Sequence, residues 1–61
     1  MNTERLTWER VSVDFIRSAG GRFDLIFSHW SQLWVSLDCD LGKVQRFPTL
    51  GEAQLWCQRQ A

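Results

Sequence analysis

Residues 48–52 constrain the fold most, because they carry the signals that begin a helix. Thr49 and Glu52 have the spacing of a capping box, in which the threonine hydroxyl and the glutamate carboxylate each satisfy an exposed amide at the helix start. Pro48 favours an extended backbone just before them. We therefore predict a C-terminal helix that starts at Thr49.

The residues after the capping box repeat at helical spacing. Leu50, Ala53 and Cys57 fall on one stripe, Trp56 lies at its edge, and Leu55 lies on roughly the opposite side. We expect this stripe to pack against a β-sheet.

Apolar and polar residues alternate at period two before the helix, which is typical of strands with one face in water. Residues 11–15, 23–27 and 33–37 predict three strands with odd-numbered apolar positions, and Lys43–Phe47 predicts a short fourth strand at the sheet edge. Gly20-Gly21 and residues 38–42 are turn signals between them. We expect the odd-numbered face to lie under the helix.

The parity of the apolar residues reverses near the N-terminus. Leu6 and Trp8 are even-numbered, whereas the apolar positions of residues 11–15 are odd-numbered, so one flat strand cannot bury them all. Either a β-bulge near Glu9-Arg10 or an N-terminal arm laid over the core by Trp8 would reconcile them.

These signals predict an α+β fold, in which a three- to four-stranded antiparallel β-meander carries one C-terminal helix on one face (βββ(β)α). We expect residues 1–61 to form a single domain, because 61 residues leave room for only one core. Four Trp and four Phe would supply much of that core, and dimerisation is the other usual source of apolar burial.

Composition argues against several classes of function. Seven basic and seven acidic residues give zero formal charge, so the chain lacks the excess of positive charge that is typical of nucleic-acid-binding domains. No apolar run resembles a signal peptide or a membrane span, so we expect a cytoplasmic protein without membrane association. Cys39 and Cys57 match no paired metal-ligand spacing, and reduced, packed thiols are favoured over a disulfide.

No motif in the sequence indicates catalysis, a cofactor site or a metal site, and we expect a protein that is not an enzyme. His29 is the single histidine, and its serine neighbours do not provide the third group that orients a catalytic base. Residues 38–40 lack the further oxygen ligands of a calcium loop.

The sheet face away from the helix is the candidate binding surface. If the odd-numbered residues face the helix, the outward positions include three apolar residues that form a patch and three carboxylates that form its rim. The candidate partner-binding residues are Ile16, Ile26, Trp34, Asp14, Asp24 and Asp38. The N-terminal arm could cover this patch instead, or the patch could form an interface with a partner or a second copy.

Residues 47–56, preceded by a glycine turn and aromatic-rich strands, resemble a pattern found in small uncharacterised bacterial and bacteriophage proteins. That pattern has a Trp near its start, an aromatic and basic β-meander, and Phe-x-Thr-Leu-x-Glu-Ala at the opening of a terminal helix. The resemblance implies the architecture and an origin in a mobile element, but no activity.

Three strands and a helix are also similar to the plant ethylene-response DNA-binding domain and to the arm-binding domain of tyrosine recombinases. Those domains read DNA with the sheet face away from the helix. This sequence departs from them there, because Asp14, Asp24 and Asp38 would repel phosphate.

The sequence is therefore compatible with three hypotheses for the function. The preferred hypothesis is a small non-enzymatic protein-binding module, encoded by a phage or prophage, that modulates a host protein. A minimal sheet-type nucleic-acid-binding domain and a structural homodimer are the alternatives. The nucleic-acid alternative would use Arg10, Arg17, Arg22, Lys43 and Arg46.

Overall fold

The computed structural model describes residues 6–61 and contains a five-stranded sheet and one helix. The elements are β1 Trp8–Ser12, β2 Phe15–Ser18, β3 Phe23–Ser28, β4 Leu33–Asp38, β5 Lys43–Phe47 and α1 Leu50–Gln60. All neighbouring strands are antiparallel and follow the chain order, and α1 packs on β3, β4 and β5. The predicted α+β class is confirmed.

The predicted count of three to four strands is wrong, because residues 11–15 do not form one strand. Val13 and Asp14 make a two-residue turn, and Ser12 pairs with Phe15 across it. The period-two alternation of apolar residues continues through this turn, which contains neither Gly nor Pro. A pattern typical of one strand therefore spans the tip of the β1–β2 hairpin.

Of the two alternatives expected near the N-terminus, the β-bulge is present, whereas Trp8 belongs to β1 and pairs with Ser18, so it is not part of a separate arm. The register of β1 against β2 shifts between Arg10 and Ser12, which places a β-bulge one residue beyond the predicted position. Trp8 and Leu6 pack against the core, and the Leu6 backbone N–H donates a 2.8 Å hydrogen bond to Oε1 of Gln58. The N-terminal segment is thus joined to the helix.

The helix begins at the predicted cap, and one half of the predicted capping box forms: the Glu52 backbone N–H donates to Oγ1 of Thr49 at 3.2 Å. The other half differs, because Oε2 of Glu52 accepts from the Thr49 hydroxyl at 3.2 Å and not from a backbone amide. Ala53 and Cys57 are buried, whereas Leu55 is 51% exposed, which confirms the predicted stripe.

The core lies between the helix and the sheet. Its buried members are Ile16, Phe23, Leu25, Ala53 and Cys57. Large, partly buried side chains surround them, namely Leu6, Trp8, Trp34, Phe47, Leu50 and Trp56. Aromatic rings thus supply much of the apolar contact, in agreement with the composition.

Candidate functional site

Loop length decides which residues face the helix. Four residues separate each successive pair of strands from β2 to β5, at 19–22, 29–32 and 39–42. When the loop between two antiparallel strands has an even number of residues, each odd-numbered residue lies opposite an even-numbered one. Leu25 thus lies opposite Ser36, and Ile26 lies opposite Val35. Directly opposed residues share a face of the sheet. The parity of the helix-side residues therefore alternates from strand to strand.

The expectation that odd-numbered residues face the helix is consequently wrong for β2 and β4. Ile16 is only 4% exposed and belongs to the core, and Trp34 packs against that core. Asp38 also lies on the helix side and is 1% exposed. These three residues do not form a surface patch with Ile26, so the proposed set of partner-binding residues must be revised.

The other three candidates do not form one cluster, because Asp14 lies apart from Asp24 and Ile26. Asp14 sits in the β1–β2 turn, where Oδ2 is hydrogen-bonded to Nε2 of His29. Asp24 is on the sheet face away from the helix and forms a 3.0 Å ion pair with Nε of Arg17. Ile26 is on that same face and is 37% exposed. Only Asp24 and Ile26 therefore remain candidates.

The sheet face away from the helix, here called the outer face, combines five apolar and four charged residues. Two cross-strand rows define it: Phe15, Ile26, Val35 and Arg46 in one, and Glu9, Arg17, Asp24, Leu37 and Val44 in the other. Within residues 6–61, α1 is the one element that packs on the sheet, and it lies on the opposite side. The outer face is thus uncovered by the described part of the chain.

The charges on the outer face are unevenly distributed. The Arg17 guanidinium lies 5.1 Å from the centroid of the Phe15 ring and pairs with Asp24. Arg46 and Glu9 form no ion pair within residues 6–61 and stand near opposite edges of the sheet. The face therefore has an apolar centre, an acidic β1 edge and a basic β5 edge.

The predicted partner-binding set contained two of the nine residues in these rows, Asp24 and Ile26. It missed Glu9, Phe15, Arg17, Val35, Leu37, Val44 and Arg46. The deciding quantity is the number of residues in each connection, because four residues between strands reverse the parity, and that number is known only once the strand ends are placed. Burial alternation within one strand cannot show this, since it identifies two faces without saying which one the helix covers.

A buried ion pair ties the sheet to the end of the helix. Nε and Nη2 of Arg22 donate to the two carboxylate oxygens of Asp38 at 3.2 and 3.1 Å, and the same Nη2 donates to the Gln60 carbonyl at 3.1 Å. The backbone N–H groups of Asp40 and Leu41 also donate to Asp38. The Arg22 hydrogen bonds hold the pKa of Asp38 below its ordinary value. These contacts hold the β2–β3 loop, the end of β4 and the end of α1 together.

The two cysteines lie in different environments and both are free. Cys57 is buried, and burial raises the pKa of its thiol to about 11, against a smaller lowering by the Ser36 hydroxyl. Oγ of Ser36 is buried without a well-formed hydrogen bond, so its contact with Cys57 is weak. Cys39 is exposed, with its Sγ 3.8 Å from Oδ2 of Asp24, so the prediction of packed thiols is wrong for this residue.

The β3–β4 loop presents an aromatic side chain to solvent. Trp30 is 97% exposed, whereas the neighbouring His29 ring packs edge-on against Phe27 at a centroid distance of 5.0 Å. Trp30 therefore does not cover the core, and it belongs to neither row of the outer face.

A shallow groove of about 230 Å³ lies between α1 and the end of β5. Phe47 lines it from the strand, with the Phe47 and Trp56 ring centroids 6.2 Å apart, and Glu52, Leu55, Trp56 and Arg59 line it from the helix. These helix residues follow the spacing i, i+3, i+4, i+7 and so form one strip along the helix.

The described residues include no cluster of three or more His, Cys, Asp or Glu side chains placed to hold a metal ion. The expectations of no enzyme activity and no cofactor stay predictions. The helix of the described region is too short and too polar to cross a membrane. Comparison with models of protein families, with curated proteins and with solved structures finds no match.

Proposed function

We propose that the chain is a small non-enzymatic protein-binding module that docks on its partner through the outer face. The observation that carries the proposal is the row Phe15, Ile26 and Val35, three apolar residues in direct register on adjacent strands, with Leu37 and Val44 beside them. A contiguous apolar surface of this kind on a small domain is typical of a protein interface.

The distribution of charge on the outer face differs from the one expected from the sequence, and this changes the kind of partner surface that would fit. Three outward carboxylates would have selected a basic surface, but Asp38 is buried and Asp14 and Asp24 are paired. Arg46 is the charge left unpaired next to Val35 on the outer face. A partner with an apolar centre and a carboxylate near Arg46 fits best. A phage origin, a host target and a cytoplasmic location stay predictions.

The proposal is tested by capture of partners with immobilised wild-type protein and two outer-face variants, Ile26→Lys and Val44→Lys. The long Lys stem keeps neighbouring apolar atoms covered while the ammonium group blocks docking. Leu41→Lys is the matched control, because Leu41 is 59% exposed, lies in the loop between β4 and β5, and belongs to neither row of this face.

Partners retained by wild type and Leu41→Lys but lost by both outer-face variants are expected. Far-UV circular dichroism and thermal unfolding establish that each variant is folded. Retention of the same partners by folded Ile26→Lys and Val44→Lys would contradict the proposal.

A structural homodimer is the second candidate, and one observation favours it. Glu9 and Arg46 stand near opposite edges of one face, so a two-fold rotation about an axis parallel to the strands would bring Glu9 of one copy towards Arg46 of the other. Sedimentation at several concentrations should then show dimers that Arg46→Glu weakens and Arg46→Glu with Glu9→Arg restores.

Nucleic-acid binding is less well supported by the geometry. Arg17 and Arg22 are paired with carboxylates, and Arg10 donates to the Val13 carbonyl at 3.0 Å. Of the five basic residues proposed for this function, only Lys43 and Arg46 have no such partner within residues 6–61. An NMR titration with duplex DNA at low salt should therefore show no saturable shifts.

A further inference from the structure

Strand β5 has an open edge next to the groove described above. It pairs with β4 on one side and has no strand partner on the other side within residues 6–61. Four of its five residues are exposed. Every second backbone N–H and C=O group of such an edge points outward and can pair with an added strand.

Helix α1 packs on the sheet face over β3, β4 and β5 and runs in the opposite direction to β5. Phe47, the last residue of β5, contacts the Trp56 ring near the middle of the helix. At the other end, Arg22 links the Gln60 carbonyl to Asp38, and Asp38 lies opposite Lys43, the first residue of β5, in the sheet register. The groove touches β5 at Phe47, and its helix residues continue from there towards the Lys43 end of the strand.

The spacing of the groove residues matches that of an extended chain. Leu55 and Arg59 are four helical residues apart, which is a rise of about 6 Å. Alternate residues of a β-strand, whose side chains share a face, are about 6.6 Å apart. Two alternate side chains of an added strand can thus meet Leu55 and Arg59 in turn.

The charges at the edge define which residues would fit. Arg59 lines the groove and has no ion pair within residues 6–61, and Lys43 lies at the same end of the edge and is also unpaired. The carboxylate of Glu52, at the other end, accepts from the Thr49 hydroxyl. An acidic side chain is therefore favoured near Arg59, and an apolar one near Leu55 and Trp56.

We propose that the β5 edge and the groove bind an extended peptide segment of a partner protein by strand addition. The segment carries a large apolar residue that packs on Phe47, Leu55 and Trp56, and an acidic residue two positions away that pairs with Arg59. This site is separate from the outer face, and either site can exist without the other.

A foreign acidic segment fits this edge better than a second copy of the chain. Lys43 and Arg46 both lie on β5, so pairing two β5 edges would bring four cationic side chains into one small region. Like charges on paired strands destabilise the pairing, whereas an acidic segment neutralises them.

The test is selection from a displayed library of random peptides of about ten residues, a length that covers the five-residue edge with flanks. Enriched peptides should share an apolar residue and an Asp or Glu two positions away. In spectra of the ¹⁵N-labelled protein, a selected peptide should shift the amides of Lys43–Phe47 and the Trp56 indole.

Two variants and one modified peptide test the contacts. Leu55→Glu should weaken binding of the selected peptide by roughly tenfold or more. Arg59→Glu should weaken it by a few fold, and a peptide with Lys in place of its acidic residue should recover that loss. N-methylation should abolish binding in one of the two alternate patterns, the one that removes the peptide N–H groups facing β5, because strand addition needs those groups.

Ile26→Lys, on the outer face, is the control and should bind the peptide as wild type does. The proposal is overturned if no peptide is enriched, if selected peptides bind Leu55→Glu unchanged, or if both alternate N-methylation patterns leave affinity intact. Loss of peptide binding in folded Ile26→Lys would also overturn it, because that result would place the peptide on the outer face.

Discussion

Arg22 contacts Asp38 through both carboxylate oxygens, and the same guanidinium reaches the last turn of the helix. Asp38 has no exposed side-chain surface, whereas Arg22 retains 31%. The pair connects the β2–β3 loop, the end of β4 and the C-terminus of α1. It is the main polar contact between the sheet and the helix end.

Asp38→Asn should lower the free energy of unfolding in urea by about 2 kcal/mol, because a buried, charge-assisted hydrogen-bonded pair loses its charge. Asp40→Asn is the matched control. Its carboxylate lies 3.6 Å from Arg22 but is 68% exposed, so its loss should change stability by less than about 0.5 kcal/mol. Equal effects of the two substitutions would contradict the structural role of Asp38.

The same pair should make the protein acid-sensitive. The pKa of Asp38 is lower in the folded state than its ordinary value of 3.8, so protonation favours the unfolded state. Its contribution is fully present above pH 3.8 and is lost as the pH falls through the lower folded-state value. Urea unfolding of wild type at decreasing pH should show this loss, and Asp38→Asn should show a shallower decline.

Cys57 should make the protein sensitive to alkali. Burial raises the pKa of its thiol from 9.0 to about 11, so between these values the unfolded chain loses a proton that the folded chain keeps. Stability should be unaffected below pH 9 and fall by an amount on the order of 2 kcal/mol as the pH rises towards 11.

The measurement for Cys57 is the urea midpoint across this alkaline range. Cys57→Ala should lose the effect, at the cost of a small cavity, while Cys39→Ser should keep it. Disulfide-exchange reagents should also modify exposed Cys39 in the folded protein and reach Cys57 only when the protein unfolds.

A pair of substitutions tests the assignment of faces in neighbouring strands. Ile16→Thr places a hydroxyl in the core and should lower the free energy of unfolding by about 2–3 kcal/mol. Ile26→Thr, on the outer face, should cost less than about 1 kcal/mol, because Thr suits strands and its hydroxyl can reach water. If Ile26→Thr proves the more damaging change, the assigned register is incorrect.

Thr49→Ala should lower the free energy of unfolding by about 1 kcal/mol, because it leaves the Glu52 amide without its 3.2 Å acceptor. Thr49→Ser keeps the hydroxyl and should be close to wild type. A helix cap that contributes nothing would be revealed by identical urea midpoints for the Ala and Ser variants.

Local signals were sufficient where a feature depends on neighbours in the chain. The cap at Thr49, the buried stripe through Ala53 and Cys57 and the edge position of β5 were all predicted and are all present. Gly20 and Gly21 have φ angles of 89° and 78°, as their turn requires. Each of these features follows from backbone preferences and spacing over a few residues.

The outer face could not be predicted in the same way. The turn at Val13 and Asp14 has no positive φ angle and no glycine, so the alternation of residues 11–15 conceals it. The candidate set that contained Ile16, Trp34 and Asp38 failed for a related reason. Alternation defines two faces of a strand, but hydrogen-bond register between strands decides which face lies under the helix.

The sequence by itself therefore determined the α+β class, the C-terminal helix with its cap and buried stripe, and a sheet with two unlike faces. Tertiary structure alone decided the identity of the exposed face and the pairing of Arg22 with Asp38, which are 16 residues apart. The physical reason is that four-residue connections reverse the side-chain parity of successive strands. Only assembly of the whole sheet shows where each side chain lies.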